Sequence, residues 1–290
     1  MYRAIAENKR KTLMIMAVFV GLISAIGWVI SSFYGNTQIT YYVIAGAILY
    51  ALLQYYMADK LAVTMTGAHQ IEKRDNPRLY RIVENLSIAN GLPMPKVYII
   101  EDSAPNAFAT GRDPRHSIVA STTGLLDLMN DNELEGVMAH EMGHIQNYDV
   151  RLSMVTFGLV SVIGLLSDIV FRMFLYGDND SDNSPAGMVI GIIILILAPI
   201  IATIVQLAIS RQREYLADAT SAITTRNPEG LASALEKLKQ NGRPMKRQNT
   251  ASAHLFINNP LKAGFINKLF STHPPLDERI ARLRGNAEKF

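Results

Sequence analysis

His140-Glu141-Met142-Gly143-His144 lies inside a stretch, Asn132 to Gln146, that reads as a helix. Residues four apart on a helix project from one face, one turn apart, so both histidines can offer a ring nitrogen to a zinc ion about 2.0 Å away. Glu141 follows the first of them and reaches the open coordination position, where a carboxylate can take a proton from water. The competing reading is a surface helix with two unrelated histidines. A suitable third ligand elsewhere in the chain weighs against it.

Catalytic zinc takes three protein ligands and keeps a fourth position for water. The 290 residues contain no cysteine, so disulfides, thiolate nucleophiles, iron-sulfur clusters and cysteine zinc sites are excluded. The third ligand must come from His, Asp or Glu. Glu214, in Arg213-Glu214-Tyr215-Leu216-Ala217-Asp218, is the candidate. Taken alone it would read as half of an ion pair with Arg211 or Arg213. Asp218 stands four residues on along the same helical face, placed to hydrogen-bond the far nitrogen of a zinc-bound histidine and fix its tautomer. Asp149, five after His144, is a second acid suited to that supporting role.

Around this motif the composition points to a membrane. Hydrophobic residues make up 49% of the chain and charged ones 18%, and the mean hydropathy of +0.13 is high for a soluble protein. Leu13 to Phe33 is apolar or small throughout and long enough to cross a bilayer. Its length and the lack of a small-residue cleavage site argue against a removable signal peptide. A second stretch, Ile39 to Met57, carries tyrosines near its ends, where such rings settle at headgroup level. Two more, Met154 to Leu175 and Met188 to Ile209, complete about four crossings. Asp168 and Arg172 inside the third, and Pro199 inside the fourth, admit a partial insertion instead.

Basic residues flank these stretches at Arg3 to Lys11, Lys60, Lys73 to Arg81, Arg151, Arg211 and Arg213, while the turns Gly35 to Gln38 and Gly177 to Pro185 have none. The positive-inside rule puts both termini and the two polar segments in the cytoplasm. The formal net charge of +3 is scattered along membrane-flanking positions and does not suggest a nucleic-acid partner. The expected organisation is a transmembrane hairpin over 1–57, a first catalytic part over 58–153, a second hairpin over 154–209 and a second catalytic part over 210–290. Helices are expected at Pro77 to Asn90, Pro228 to Gln240 and after Pro275, with short strands at Lys96 to Ile100, Asn106 to Thr110 and Ile118 to Ser121.

The chain resembles the HtpX-type membrane zinc metalloproteases, relatives of the prenyl-protein endopeptidases within the gluzincins. The resemblance rests on the basic N-terminus and apolar hairpin, Pro105-Asn106-Ala107-Phe108-Ala109-Thr110-Gly111, His140 to His144 with Asp149, Ser210 to Glu214 with Ala217-Asp218, and Ser271-Thr272-His273-Pro274-Pro275. It implies one zinc per chain on His140, His144 and Glu214, with Glu141 catalytic. It implies an endopeptidase of the cytoplasmic membrane that acts in membrane-protein quality control on unfolded or damaged membrane proteins, cut on the cytoplasmic side. Similar enzymes place a histidine such as His273 near the zinc as a donor to the oxyanion, with Arg279 in support. Asn106, Ala107, Phe108, Ala109 and Thr110 would form an edge strand that binds an extended substrate by main-chain pairing.

The expected fold is mainly α-helical, with a small β-sheet beside the zinc helix and a gluzincin-like catalytic domain on about four membrane helices. Two rivals come from other classes. Asp168 and Arg172 at membrane depth prompt a transporter, which flux in proteoliposomes would reveal. A membrane scaffold or holdase with a structural zinc would remain active as Glu141→Gln.

Overall fold

The structure, a computed structural model, describes residues 2–156, 158–159, 211–247, 255–260 and 274–285. Nearly all of the third and fourth apolar stretches, together with Asp168, Arg172 and His273, lies outside the described residues. Packing divides the chain into two compact units. One gathers Met1–Lys9, Met57–Met154 and Ile209–Phe290; the other holds Arg10–Tyr56 and Val155–Ala208.

The long helices α1 (Tyr2–Tyr34) and α2 (Gln38–Thr66), most of whose residues belong to the second unit, are joined through Gly35, which takes a φ of +63° that suits glycine. Within them, Ile5–Trp28 and Gln38–Met57 are long and apolar enough to cross a bilayer, and only 22% and 17% of the two windows is buried. A helix in a soluble core would be mostly buried. Here Leu13, Trp28, Tyr42 and Leu49 present apolar surface outward, as a lipid-facing helix does. The helices approach closely at Gly27, where a Cβ would come within 2.7 Å of Val43. Tyr50 donates its hydroxyl to the Gly158 carbonyl at 2.9 Å.

The first unit is a small sheet packed with helices. Strands β1 (His69–Gln70), β2 (Lys96–Ile100), β3 (Ala107–Gly111) and β4 (Ser117–Thr122) lie in the order β1-β2-β4-β3. β2 runs parallel to β4, with Tyr98 opposite Ala120, and β3 runs antiparallel to it, with Phe108 opposite Ala120. β3 is therefore an edge strand. Its chain doubles back through Gly111, where a Cβ would collide with the His116 carbonyl.

Helix α3 (Pro77–Asn90) begins at the Asn76 cap and stops at Gly91 in the left-handed conformation. A short α4 (Thr123–Leu128) leads into α5 (Asp131–Gln146), which opens with a reciprocal capping box between Asn130 and Glu133. Helices α6 (Arg211–Thr225), α7 (Pro228–Asn241) and α8 (Leu276–Gly285) complete the unit. α5 is the central element. Its Leu134, Val137, Met138, Met142 and Ile145 join Leu79, Val83, Val97, Leu231 and Leu235 in one buried core. Two glycines let other helices approach it. A Cβ on Gly136 would stand 2.7 Å from the Leu231 nitrogen of α7, and one on Gly143 would stand 3.3 Å from the Ala217 Cα of α6. The second approach carries Glu214 and Asp218 to the histidine pair.

Candidate active site

Three side chains converge where α5 and α6 meet. His140 Nε2 and His144 Nε2 lie 3.1 Å apart, and Glu214 places Oε2 3.7 Å from the first and Oε1 3.6 Å from the second. Among the described residues, these three offer donor atoms all within 4.8 Å of one another. Ligands at 2.0–2.1 Å in a tetrahedron stand about 3.3 Å apart. The triangle observed here is close to that size, and two nitrogen lone pairs and a carboxylate aimed at one point suit a cation.

Each histidine is held from behind by an acid. His140 Nδ1 lies 3.0 Å from Asp218 Oδ1, and His144 Nδ1 lies 3.0 Å from Asp149 Oδ2. With Nδ1–H donated to a carboxylate, Nε2 is left as the free lone pair facing the ligand point. Asp218 is gripped in turn by Arg279, wholly buried, through Nε at 3.0 Å and Nη2 at 2.6 Å. The same guanidinium puts Nη1 3.8 Å from Glu214 Oε2. Arg279 thus faces the ligand set from behind.

Burial and charge tune these groups apart. Burial and the Arg279 charge push the His140 imidazole down to about 4. Burial would also lower His144, but the Glu214 and Asp149 carboxylates outweigh it and push the group up to about 9, so a cation binding at Nε2 would displace a proton there. Burial alone would raise Asp218, yet Arg279 holds it well below the usual carboxylate range. Glu141, on the neighbouring face of α5 and 2% exposed, is pushed up to about 7, chiefly by burial and then by Glu214 against the opposing charge of His144. That value suits a group that must both accept and return a proton near neutrality.

A cavity runs from Ala109 and Leu255 past Glu141, His144 and Glu214 to Asp149, Ser153 and Arg213. β3 contributes Ala109 to its wall, and the Ala109 backbone favours the charged form of the Glu141 carboxyl. The strand's outer edge carries a neighbour that the sequence does not reveal. Ile257 N–H donates to the Ala107 carbonyl at 3.0 Å, and Phe108 bridges Phe256, with their rings 5.2 Å apart. Asn106 clasps the same segment, accepting from the Asn258 N–H at 3.1 Å and donating to its carbonyl at 2.8 Å. Asn106, Ala107 and Phe108 are therefore engaged by the chain's own residues, whereas Ala109 lines the cavity. Thr110 is buried next to it. His273 lies outside the described residues.

The fold and site define a class: a metallopeptidase on apolar membrane-type helices, with a His-x-x-x-His pair on one helix and a glutamate brought from a later one. The sequence pattern of peptidase family M48 matches residues 73–287, and the chain belongs to that family. It is 54% identical over its whole length to a "Protease HtpX homolog" of Tropheryma whipplei (strain Twist), all of which it covers. Identity is 45% to another of that description from Dictyoglomus turgidum, with 100% of this chain and 96% of the relative covered. The crystal structure of S. mikatae Ste24p shares the fold, with a TM-score of 0.53 over 98% of this chain and 67% of that one at 18% identity. The protein is a membrane-associated metalloprotease.

Proposed function

We propose that the protein is a zinc-dependent endopeptidase of the cytoplasmic membrane, crossing it about four times, that cuts unfolded or damaged membrane proteins on the cytoplasmic side. The observation that carries this reading is the convergence of His140, His144 and Glu214 with Glu141 beside them. His140, His144 and Glu214 would hold one zinc ion, the last two lining the cavity. Zinc, when bound, supplies a Lewis acid for the scissile carbonyl and acidifies the attacking water.

The chain's own groups do the rest. Glu141 takes the proton of the attacking water and delivers it to the leaving nitrogen, and its burial, which raises the carboxyl, favours holding that proton in between. Asp218 and Asp149 hold the imidazoles in one tautomer. Extended substrate enters along β3 on the Ala109 and Thr110 side, since the chain's own segment occupies Ala107 and Phe108. Main-chain pairing is common to all sequences, which fits a protease of damaged proteins.

Reconstitution in proteoliposomes tests this reading. A destabilised membrane protein with its exposed loop on the side of residues 58–153 should be cut with zinc present, and both chelation and a stably folded version of the same substrate should prevent cutting. Cleavage that is indifferent to chelation, or equal for folded and destabilised forms, would contradict it.

A further inference from the structure

Helix α5 ends at Gln146, yet the acid behind His144 comes three residues later, at Asp149. To bring it back, the chain turns through Tyr148, whose φ of +61° lies in the left-handed region. That conformation is unfavourable for a bulky side chain and persists only where neighbours impose it. The neighbours come from the beginning of the chain. Asn8, 4% exposed on the first turns of α1, donates its side-chain amide to the Asn147 carbonyl at 2.9 Å and to Asp149 Oδ1 at 2.6 Å. Lys9 Nζ stands 4.4 Å from the centre of the Tyr148 ring, and the Arg151 guanidinium stands 4.7 Å from it. Residues Met1–Lys9 accordingly group with the catalytic unit, apart from the rest of α1.

The two oxygens of Asp149 have divided tasks. Oδ2 meets His144 Nδ1 at 3.0 Å, while Oδ1 meets Asn8 and has Arg213 Nη1 3.9 Å away. A carboxylate turns easily about its terminal torsion, which is broad and two-fold. A donor fixed on one oxygen fixes where the other points. We propose that Asn8 is a positioning residue of the metal centre: through Asp149 it sets the orientation of the His144 ring, and the N-terminal end of the membrane helix is thereby a working part of the site. This rests on the reading of His144 as a zinc ligand.

Zinc affinity of the full chain in detergent, measured by chelator competition, and the melting temperature of the chelated protein together test it. Asn8→Ala should weaken zinc binding ten- to a hundredfold, the range for loss of a supporting partner, with the chelated protein melting within a few degrees of wild type. Asp149→Ala should do the same, and the double variant should bind zinc no more weakly than Asp149→Ala alone. Asn8→Gln keeps an amide donor; it should fold even where Asn8→Ala does not, and lose less affinity. Unchanged zinc affinity in Asn8→Ala, or losses that add in the double variant, would overturn the proposal. Tight zinc binding by wild type alongside either result overturns it alone, whereas a wild type that binds no zinc overturns the metal reading beneath it.

Discussion

Arg279 shows how much one residue can hide in a sequence. In the sequence it is a basic residue in a C-terminal helix, suited to a surface or to oxyanion support. In the structure it is the largest fully buried side chain among the described residues, forked onto Asp218 and close to Glu214. Its charge balances two acids that would otherwise repel each other beside the histidines. Arg279→Met should leave Asp218 buried without its cation and destabilise the protein by about 3–5 kcal/mol, as seen in denaturant unfolding. Arg279→Lys keeps the charge but not the planar fork, and should fall between the two. The candidates His140, His144 and Glu214, which the structure brings together, could be picked out because residue type and helical spacing are local properties. The orientation of Arg279, and the link from Asn8 to Asp149, depend on approaches between segments far apart in sequence, for which no local pattern exists.

At the scale of elements, α5 is held at its start as firmly as at its end. Glu133 closes the capping box with Asn130, accepts from Ser233 at 2.8 Å and pairs with Lys237 at 2.7 Å. Burial pushes its carboxyl up, but the Lys237, Asn130 and Ser233 contacts outweigh that and leave it lowered. A carboxyl lowered in the folded state contributes stability at neutral pH and loses it as pH falls from the unfolded value through the folded one. Glu133→Gln should therefore be less stable than wild type at pH 7, by about 1–3 kcal/mol, with the gap closing below about pH 4; melting curves across that range check it.

β3 gives a second element-scale prediction. Ala109 lines the cavity beside Glu141, and its backbone favours that group's charged form; proline there removes the N–H, so Ala109→Pro should lower kcat at least as much as it raises KM, with metal content unchanged. An effect on KM alone would separate the strand from the catalytic carboxylate. Most elements were readable from caps and periodicity: α3 and β2 fall where Asn76-Pro77, Gly91 and the apolar run Val97 to Ile100 place them. β1, only two residues long, and the six-residue α4 escape because neither is long enough for a period to repeat twice. The pairing of Phe256 with Phe108 joins segments nearly 150 residues apart and leaves no local trace.

For the whole molecule, two polar segments separated by apolar sequence build one site, and the proposed topology of about four crossings puts them on one side of the membrane. A chain without native cysteine allows that to be mapped directly. Single cysteines at Asn36 and Asn183 should react with an impermeant reagent from outside the cell, and those at Asn76 and Asn249 should not. Reaction at Asn36 with protection at Asn183 would reduce the crossings to the first hairpin. The chemistry itself has a more direct test. Purified wild type and Glu141→Gln are compared for zinc per chain and for cleavage of a loosely folded protein. Both should hold one zinc, with cleavage by the variant reduced about 100-fold or more. Cleavage by Glu141→Gln at the wild-type rate, or its loss only together with the zinc, would contradict it.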